Sequence, residues 1–403
     1  MYSRRIPRPH LCDKVKLTSF PIRVGLQHEE SWVDHLGLGI DIDMFEYLNK
    51  TGCTEIERVD DENNLYETLS SLGSVGFEQQ DITSLQNVVV ACLHLGNMSF
   101  EPSDEEDSSS YAVASEDESS VYAQYFVSKL LAIEQELIVE ALCENRRTVR
   151  SEVISSPVSP DEASTSRDSL VRAMYGRAFK LLIARINTFT ATNAQQNDEY
   201  LGILDIFGFE IFDSNRFEQL CINFANEKLQ QQFTYHVFKF QEELFQKEGV
   251  AYTPVQFTDN DKVLNLFEGK SVGIFVILDE QVKVAQGSDA NFLSRINKQY
   301  EFNELFEKDK FADVFTIKHY AGDVHYEASG FIEKNRDTLF DHLQDLFRES
   351  EDQFVTQLAD DPLKGNSVGA SNSSKRLTQA QSFRCSLDDL MASVESSMPH
   401  FIR

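Results

Sequence analysis

Three residues in one short run have types and spacing suited to phosphate chemistry: Asp205, Gly208 and Glu210, within Leu204-Asp205-Ile206-Phe207-Gly208-Phe209-Glu210. An acid at the C-terminal end of a buried strand is where an α/β sheet places ligand chemistry. A glycine three residues later lets backbone N–H groups come close to an anion. On residue pattern alone two readings stay open: an anion-contacting turn, or an ordinary core strand with a corner behind it.

Such a turn needs a strand before it and a stiff element after it. Tyr200 to Ile206 is apolar and of strand length, broken only by Asp205. From Arg216 to Glu248 there is no Gly or Pro. Apolar residues there recur at three- and four-residue steps: Phe217, Leu220, Cys221, Phe224, Leu229, Phe233, Val237, Phe240 and Leu244. This predicts one amphipathic helix, roughly 45 Å long. Ser214 or Asn215 can cap it, with Glu218 in the first turn.

The length of 403 residues allows two or three domains, and 41% hydrophobic content with 30 Phe supplies a large core. No run of about 18 apolar residues suggests a membrane span. The N-terminus MYSRRIPRPHLC lacks the apolar stretch of a secretory signal. Six scattered Cys without a CxxC pair fit reduced thiols in a cytosolic protein. A net charge of −29 argues against nucleic acid and against an anionic membrane surface.

Along the chain, residues 1–35 read as an unplaced, disordered lead. Helices are predicted over 82–95, 121–142 and 169–189. Residues 101–120 hold eight acids and no base, which predicts a solvated loop. Arg146 to Asp161, with Pro157 and Pro160, reads as loop. His319 to Tyr326 reads as β with a Gly bend, and its two histidines, like His94, as structural. Gly269-Lys270-Ser271 mimics the end of a phosphate loop, but Leu264 stands where its first Gly belongs. Lys364 to Gln381 reads as a flexible loop, and Ser386 to Ser397 as a helix.

The stretch LDIFGFEIFDSNRFEQLCINFANEKLQQQF resembles the switch II segment and relay helix of the myosin motor domain. Further matches follow in that family's order: FEYLNKTGC, CLHLGNMSF, RDSLVRAMYGRAF, GIFVILDEQ, KHYAGDVHYEASGFIEKNRD and SLDDLMASVESSMPHFIR. The resemblance covers roughly residues 36–403. It implies an α/β fold: part of a P-loop NTPase motor core, mostly helical around a fragment of the central sheet. It also implies ATP-driven movement on actin filaments, a cytoplasmic, cytoskeletal setting, and ATP with Mg²⁺ as cofactors. Light chains or calmodulin would bind a lever beyond Arg403.

By the same resemblance Asp205 lies in the second shell of Mg²⁺ and the Gly208 N–H contacts the γ-phosphate. Glu210 pairs with an Arg of switch I and helps position the attacking water. Actin contacts fall on several pieces. Glu152 lies in the segment matching the cardiomyopathy loop, and residues 250–306 match the lower helix-loop-helix. Lys364, Lys375 and Arg376 lie in the surface loop 362–381. Ser386, Leu387, Leu390, Met391, Val394, His400 and Phe401 lie in the 386–403 region.

Two of the family's phosphate-site pieces do not occur in these residues: no GxxxxGK[ST], and no switch I run of the form Asn-x-Asn-Ser-Ser-Arg-Phe. The expectation is a chain that does not bind or hydrolyse ATP by itself, with Glu210 short of its cationic partner. The alternative is a non-catalytic actin-binding module derived from such a motor.

Overall fold

The computed structural model describes residues 32–39, 41–50, 57–103, 111–149, 152–191, 202–253, 257, 259–284, 286–309, 313–336, 339–360 and 377–396. The chain divides into two units: Met1–Glu199 with Thr338–Ser371, and Tyr200–Asp337 with Asn372–Arg403.

The first unit is built on helices α1 (Asp61–Ser74), α2 (Gln79–Asn97), α3 (Glu118–Leu131), α4 (Gln135–Cys143) and α5 (Pro160–Ala191). Two small antiparallel pairs accompany them: β1 (Phe100–Pro102) with β2 (Ala112–Ala114), and β3 (Glu144–Val149) with β4 (Glu152–Pro157). Its core joins Val88, Ala91 and Leu95 of α2, Val127 and Leu130 of α3, and Leu170, Met174 and Ala178 of α5. Leu343, Phe347, Val355 and Leu358 of the returning segment complete it.

Three expectations are corrected here. The helix foreseen over 121–142 is two helices, because Ala132 adopts the left-handed region at φ 50 and closes α3. Arg146 to Asp161 is a hairpin leading into a helix, with Arg146 opposite Ser155 and Thr148 opposite Val153. The helix starts at Pro160, well before Ser169, through a reciprocal cap. The Glu162 carboxylate accepts from Ser159 N–H at 2.9 Å, and Ser159 Oγ accepts from Glu162 N–H at 3.4 Å. Ser-Pro-Asp-Glu is a legible start signal, with proline at the first helical position. The acidic loop is closed at its base by the β1–β2 ladder, and residues 104–110 lie outside the described residues.

His94 is fully buried, stacked on Phe126 at 5.2 Å, and its Nε2–H donates to the Leu36 carbonyl at 2.9 Å. Burial lowers its pKa, and burial likewise lowers that of His342. Both folded values lie below the ordinary 6.5, so the unfolded chain binds more protons below that pH. Stability of the first unit should therefore hold above pH 6.5 and fall progressively as the pH is lowered from there. Urea melts at about pH 7.5 and about pH 5.5 check this. A His94→Gln, His342→Gln protein should lose part of the difference.

The second unit begins its regular structure with α6 (Phe217–Thr234), a π-helical turn (Tyr235–Lys239) and α7 (Phe240–Glu248). Then come α8 (Asp261–Glu268), α9 (Ile274–Lys283), α10 (Asp289–Gln299), and strands β5 (Phe306–Lys308), β6 (Val314–His319) and β7 (Gly322–Glu327). Helices α11 (Phe331–Asn335) and α12 (Gln379–Ser396) follow. The strands form one antiparallel sheet in the order β5-β6-β7. Alternation on β6 turns Phe315 and Ile317 into a core rich in aromatic rings, among them Phe224, Phe267, Phe275, Phe292 and Phe331.

Over 202–206 the expected strand is not formed: residues 202–212 are irregular, and Tyr200 and Leu201 lie outside the described residues. A strand exists only where its N–H and C=O groups meet a ladder, and no described strand lies alongside this run. The one β-type contact nearby among the described residues is an isolated bridge between Asn215 and Tyr326. The three described sheets are small and antiparallel. Among the described residues the parallel central sheet of the α/β expectation is therefore not seen, and the fold is mostly helical. The predicted 216–248 helix is present from Phe217 to Glu248, interrupted by the π turn.

Candidate functional site

Residues 202–212 form an arm that lies open up to Phe207 and is seated from Phe209. Ile203 is 89% exposed and Phe207 63%. Asp205 and Gly208 are also exposed, and a Cβ added at Gly208 would meet nothing within 4 Å. Phe209 turns inward, its ring edge-on to His319 at 5.0 Å and to Tyr320 at 5.5 Å. Glu210 is buried, and both its peptide groups are held by one side chain of α6. Its N–H donates to Asn223 Oδ1 at 2.8 Å, and its carbonyl accepts from Asn223 Nδ2 at 2.8 Å.

The hydrogen bonds continue inward from Asn223. Its Nδ2 also donates to the Tyr326 hydroxyl at 2.9 Å, which lies 2.9 Å from His319 Nε2. His319 Nδ1 lies 3.0 Å from Glu227 Oε1, and that oxygen accepts from Tyr320 N–H at 3.1 Å. Asn260 Nδ2 donates to the Glu227 carboxylate and, at 2.8 Å, to the Glu227 carbonyl. Asn223, Glu227 and Tyr326 are wholly buried. Fully satisfied, such a network specifies one arrangement; any broken link leaves a buried polar group, which is costly.

Of the three residues singled out from the sequence, Asp205 and Gly208 share the open arm and Glu210 belongs to the body. Glu210 was expected to be short of its cationic partner, an Arg of switch I. A neutral group, Gln219 Nε2 in the first turn of α6, reaches its Oε2 at 3.4 Å. A second tie is solvent-exposed: Asn226 Nδ2 donates to the Phe207 carbonyl at 3.0 Å. The residues that sequence reasoning missed are Asn223, Glu227 and Tyr326, while His319, read there as structural, is held in the buried network. A signal existed for two of them: Asn223 and Glu227, four apart, interrupt the apolar face between Leu220 and Leu229.

The predicted docking residues separate. Glu152 opens β4. Ser386 is exposed, while Leu390 and Val394 are half-buried. Leu387 and Met391 are buried in the second unit's core, which corrects their assignment to a surface. The cause is that α12 packs this face inward, fixed by Arg384 Nη2 on Asp279 Oδ2 at 2.5 Å and by Lys228 Nζ on Asp388 Oδ1 at 3.5 Å. Lys364, Lys375, Arg376, His400 and Phe401 lie outside the described residues.

The donors present on the arm are one exposed carboxylate and an unobstructed glycine backbone. They fit one face of an anion or a hydrated cation. They do not amount to a cradle for a triphosphate with Mg²⁺. Among the described residues no group of three His, Cys, Asp or Glu could hold a metal.

A family profile described as myosin head (motor domain) matches residues 23–403. The chain belongs to the myosin motor-domain family. The match begins earlier than Leu36, so part of the unplaced lead falls within it. Myosin-I heavy chain of Dictyostelium discoideum is 33% identical over 362 residues, covering 89% of this chain and 15% of that protein. Unconventional myosin-Vc of Homo sapiens is 35% identical over 391 residues, covering 93% and 22%. Myosin-16 of Arabidopsis thaliana is 35% identical over 372 residues, covering 92% and 29%. This myosin segment thus spans less than a third of the length of these curated relatives. None of its described helices is long and apolar enough to cross a membrane.

Proposed function

We propose that this chain is a segment of an actin-based cytoskeletal motor whose family activity is ATP-driven movement along filaments, with residues 204–233 acting as switch II and the start of the relay helix. The observation that carries this reading is the junction at Glu210. There an open arm bearing Asp205 and Gly208 is tied through a buried peptide to the base of a long helix. A contact made by the arm can then be transmitted as a displacement of the rod. On this reading Asp205 serves the outer shell of Mg²⁺, the Gly208 N–H meets the terminal phosphate, and Glu210 orients the attacking water.

Filament contacts are assigned to the β3–β4 hairpin with Glu152, to the loop with Lys364, Lys375 and Arg376, and to Ser386, Leu390, Val394, His400 and Phe401. Leu387 and Met391 anchor α12 from within. Light chains or calmodulin would engage a lever helix outside these residues, and the setting is the cytoskeleton.

Positioning and charge neutralisation supply nearly all the rate of phosphoryl transfer. These residues contain no phosphate-loop motif, so the chain alone should bind nucleotide weakly. Titration with a fluorescent ATP analogue and Mg²⁺ should give a Kd above about 10 µM, roughly −7 kcal/mol. A tighter constant would sink this part of the reading.

A second reading, a non-catalytic actin-binding module, is favoured by one observation: each unit closes a buried core from its own side chains. Co-sedimentation with actin that ignores added nucleotide is its signature. A dependence on nucleotide returns the choice to the motor.

A further inference from the structure

We propose that Ser156 is a modification site, phosphorylated by a proline-directed protein kinase, and that Ser159, in the same dipeptide context, is withheld by the fold.

The sequence offers two such acceptors in one run, Ser155-Ser156-Pro157-Val158-Ser159-Pro160. A kinase of this class reads a serine followed by proline, whose ring fixes φ and brings no N–H into the cleft. By dipeptide alone the two serines are equal.

Their surroundings separate them. Ile154, Ser155, Ser156 and Pro157 are all exposed, on the extended backbone of β4. The Ser156 hydroxyl donates to the Asn145 carbonyl at 3.3 Å, a long bond for an O–H. Strands β3 and β4 form a two-stranded sheet, and such a pair is marginal by itself. Lifting the end of β4 therefore presents Ser156 and Pro157 at little cost.

Ser159 is held from both sides. Val158 before it is buried with Ala112, Cys143 and Ala163. The Val158 N–H donates to the Cys143 carbonyl at 3.1 Å, and its carbonyl accepts from Ala112 N–H at 2.7 Å. After it α5 begins, and Ser159 Oγ–H donates to Glu162 Oε2 at 3.0 Å. A kinase reaching Ser159 must pull Val158 from its core and break the cap of a 32-residue helix.

In the transfer, Ser156 Oγ bonds to the γ-phosphorus of kinase-bound ATP as the bond from that phosphorus to the bridging oxygen breaks. ADP leaves with the electron pair, and the hydroxyl proton passes to the kinase's aspartate base. The product carries about −1.5 to −2 charges where a donor had been. It faces the Asn145 carbonyl, with Glu144 the next residue along β3. Arg146, the cation beyond, is already engaged by Glu140 and Glu144. Repulsion should loosen the β3–β4 ladder, while Val158 and the cap of α5 keep their bonds.

The test incubates the folded 403-residue chain with a purified mitogen-activated (proline-directed) kinase, ATP and Mg²⁺, and maps phosphate by mass spectrometry over time. Ser156 should be labelled at least about tenfold faster than Ser159. In a tryptic digest of the same chain both serines should be labelled at similar rates. Glu162→Ala removes the cap, and should raise labelling of Ser159 by about fivefold while that of Ser156 holds. Ser156→Ala should lose the label without passing it to Ser159. In the phosphorylated chain, hydrogen exchange should quicken along both strands by about tenfold, and not within α5.

A folded chain left unlabelled at Ser156, or labelled equally at both serines, overturns the proposal. So does a digest in which neither serine is taken, or in which Ser159 stays refractory, since its resistance would then lie in the dipeptide and not in the fold. Unchanged exchange across β3 and β4 overturns the loosening. If Glu162→Ala does not fold, the contrast between the intact chain and its digest decides alone.

Discussion

Asp279→Ala should lower the stability of the second unit by about 3–5 kcal/mol, the range for removing one partner of a buried charged pair. Asp279 sits in α9 with its carboxylate almost fully buried. One oxygen accepts from Asn335 Nδ2 at 3.1 Å and from the Thr378 hydroxyl; the other accepts from Arg384 Nη2. The donors come from α11, from the residue before α12, and from α12 itself. Asn335 in turn receives the Ala380 N–H at 2.7 Å, so the cluster also caps the start of α12. Removing the carboxylate strands the guanidinium against Phe275, 5.7 Å from its ring centre.

The companion variants separate charge from packing. Arg384→Met keeps an apolar stem over Phe275 and removes the charge that needs a partner. Adding it to Asp279→Ala should therefore recover part of the loss, giving a coupling of about 1–3 kcal/mol between the two sites. Urea unfolding followed by far-UV circular dichroism measures the parent, both single variants and the double variant. Trp32, the only tryptophan and a member of the other unit, gives a separate fluorescence signal. An Asp279→Ala midpoint within error of the parent would show that the cluster holds nothing together.

Gly37→Val should cost the first unit about 2–6 kcal/mol, the sum of backbone strain and overpacking at about 1–3 kcal/mol each. Gly37 has φ +67, a region that a β-branched residue strongly disfavours. A Cβ there would stand 2.6–2.8 Å from three carbons of the Phe126 ring. That ring cannot yield, being stacked with His94 at 5.2 Å and packed on Tyr122 at 4.7 Å, with the Lys129 ammonium 5.4 Å from its centre. Gly39→Ala is the control: no neighbour lies within 4 Å of its added Cβ. Its effect should stay within about 0.5–1 kcal/mol. Trp32 fluorescence in urea reads both. Equal midpoints for the two variants would remove Phe126 as the obstacle.

Much of the helical framework could be read from residue periodicity, because a helix satisfies its own backbone and needs only an apolar face. That held for α2, for the core of α5 and for α6. The irregular arm is the opposite case. Tyr200 to Ile206 has strand composition, but a strand depends on a neighbour that no local pattern can supply, so composition misled there. The hairpin at 144–157 was missed because its polar residues lack the alternation that marks a half-buried strand, and Pro157 suggested a loop.

At the site, Asp205, Gly208 and Glu210 stood out by type and spacing, and their surroundings did not. Asn223 and Glu227 were visible only as polar interruptions of an apolar stripe. Their partners His319 and Tyr326 lie far along the chain, and only the fold brings them together. Leu387 and Met391 show the converse error. An apolar stripe on an amphipathic helix is core when a buried ion pair on the same helix ties it inward, and the sequence does not announce Asp279 as that partner.

The π turn at 235–239 bears on geometry at the far end of the long helix. One surplus residue in a helix offsets every later side chain by about 100° around the axis. Upstream, Phe217, Leu220 and Phe224 are covered; downstream, Phe240 and Leu244 lie open to solvent. Unwinding that surplus would swing the outer stripe around the circumference as well as lengthen the shaft. The tip would then register a local change of winding as a turn, much as the blade of a screwdriver registers the wrist.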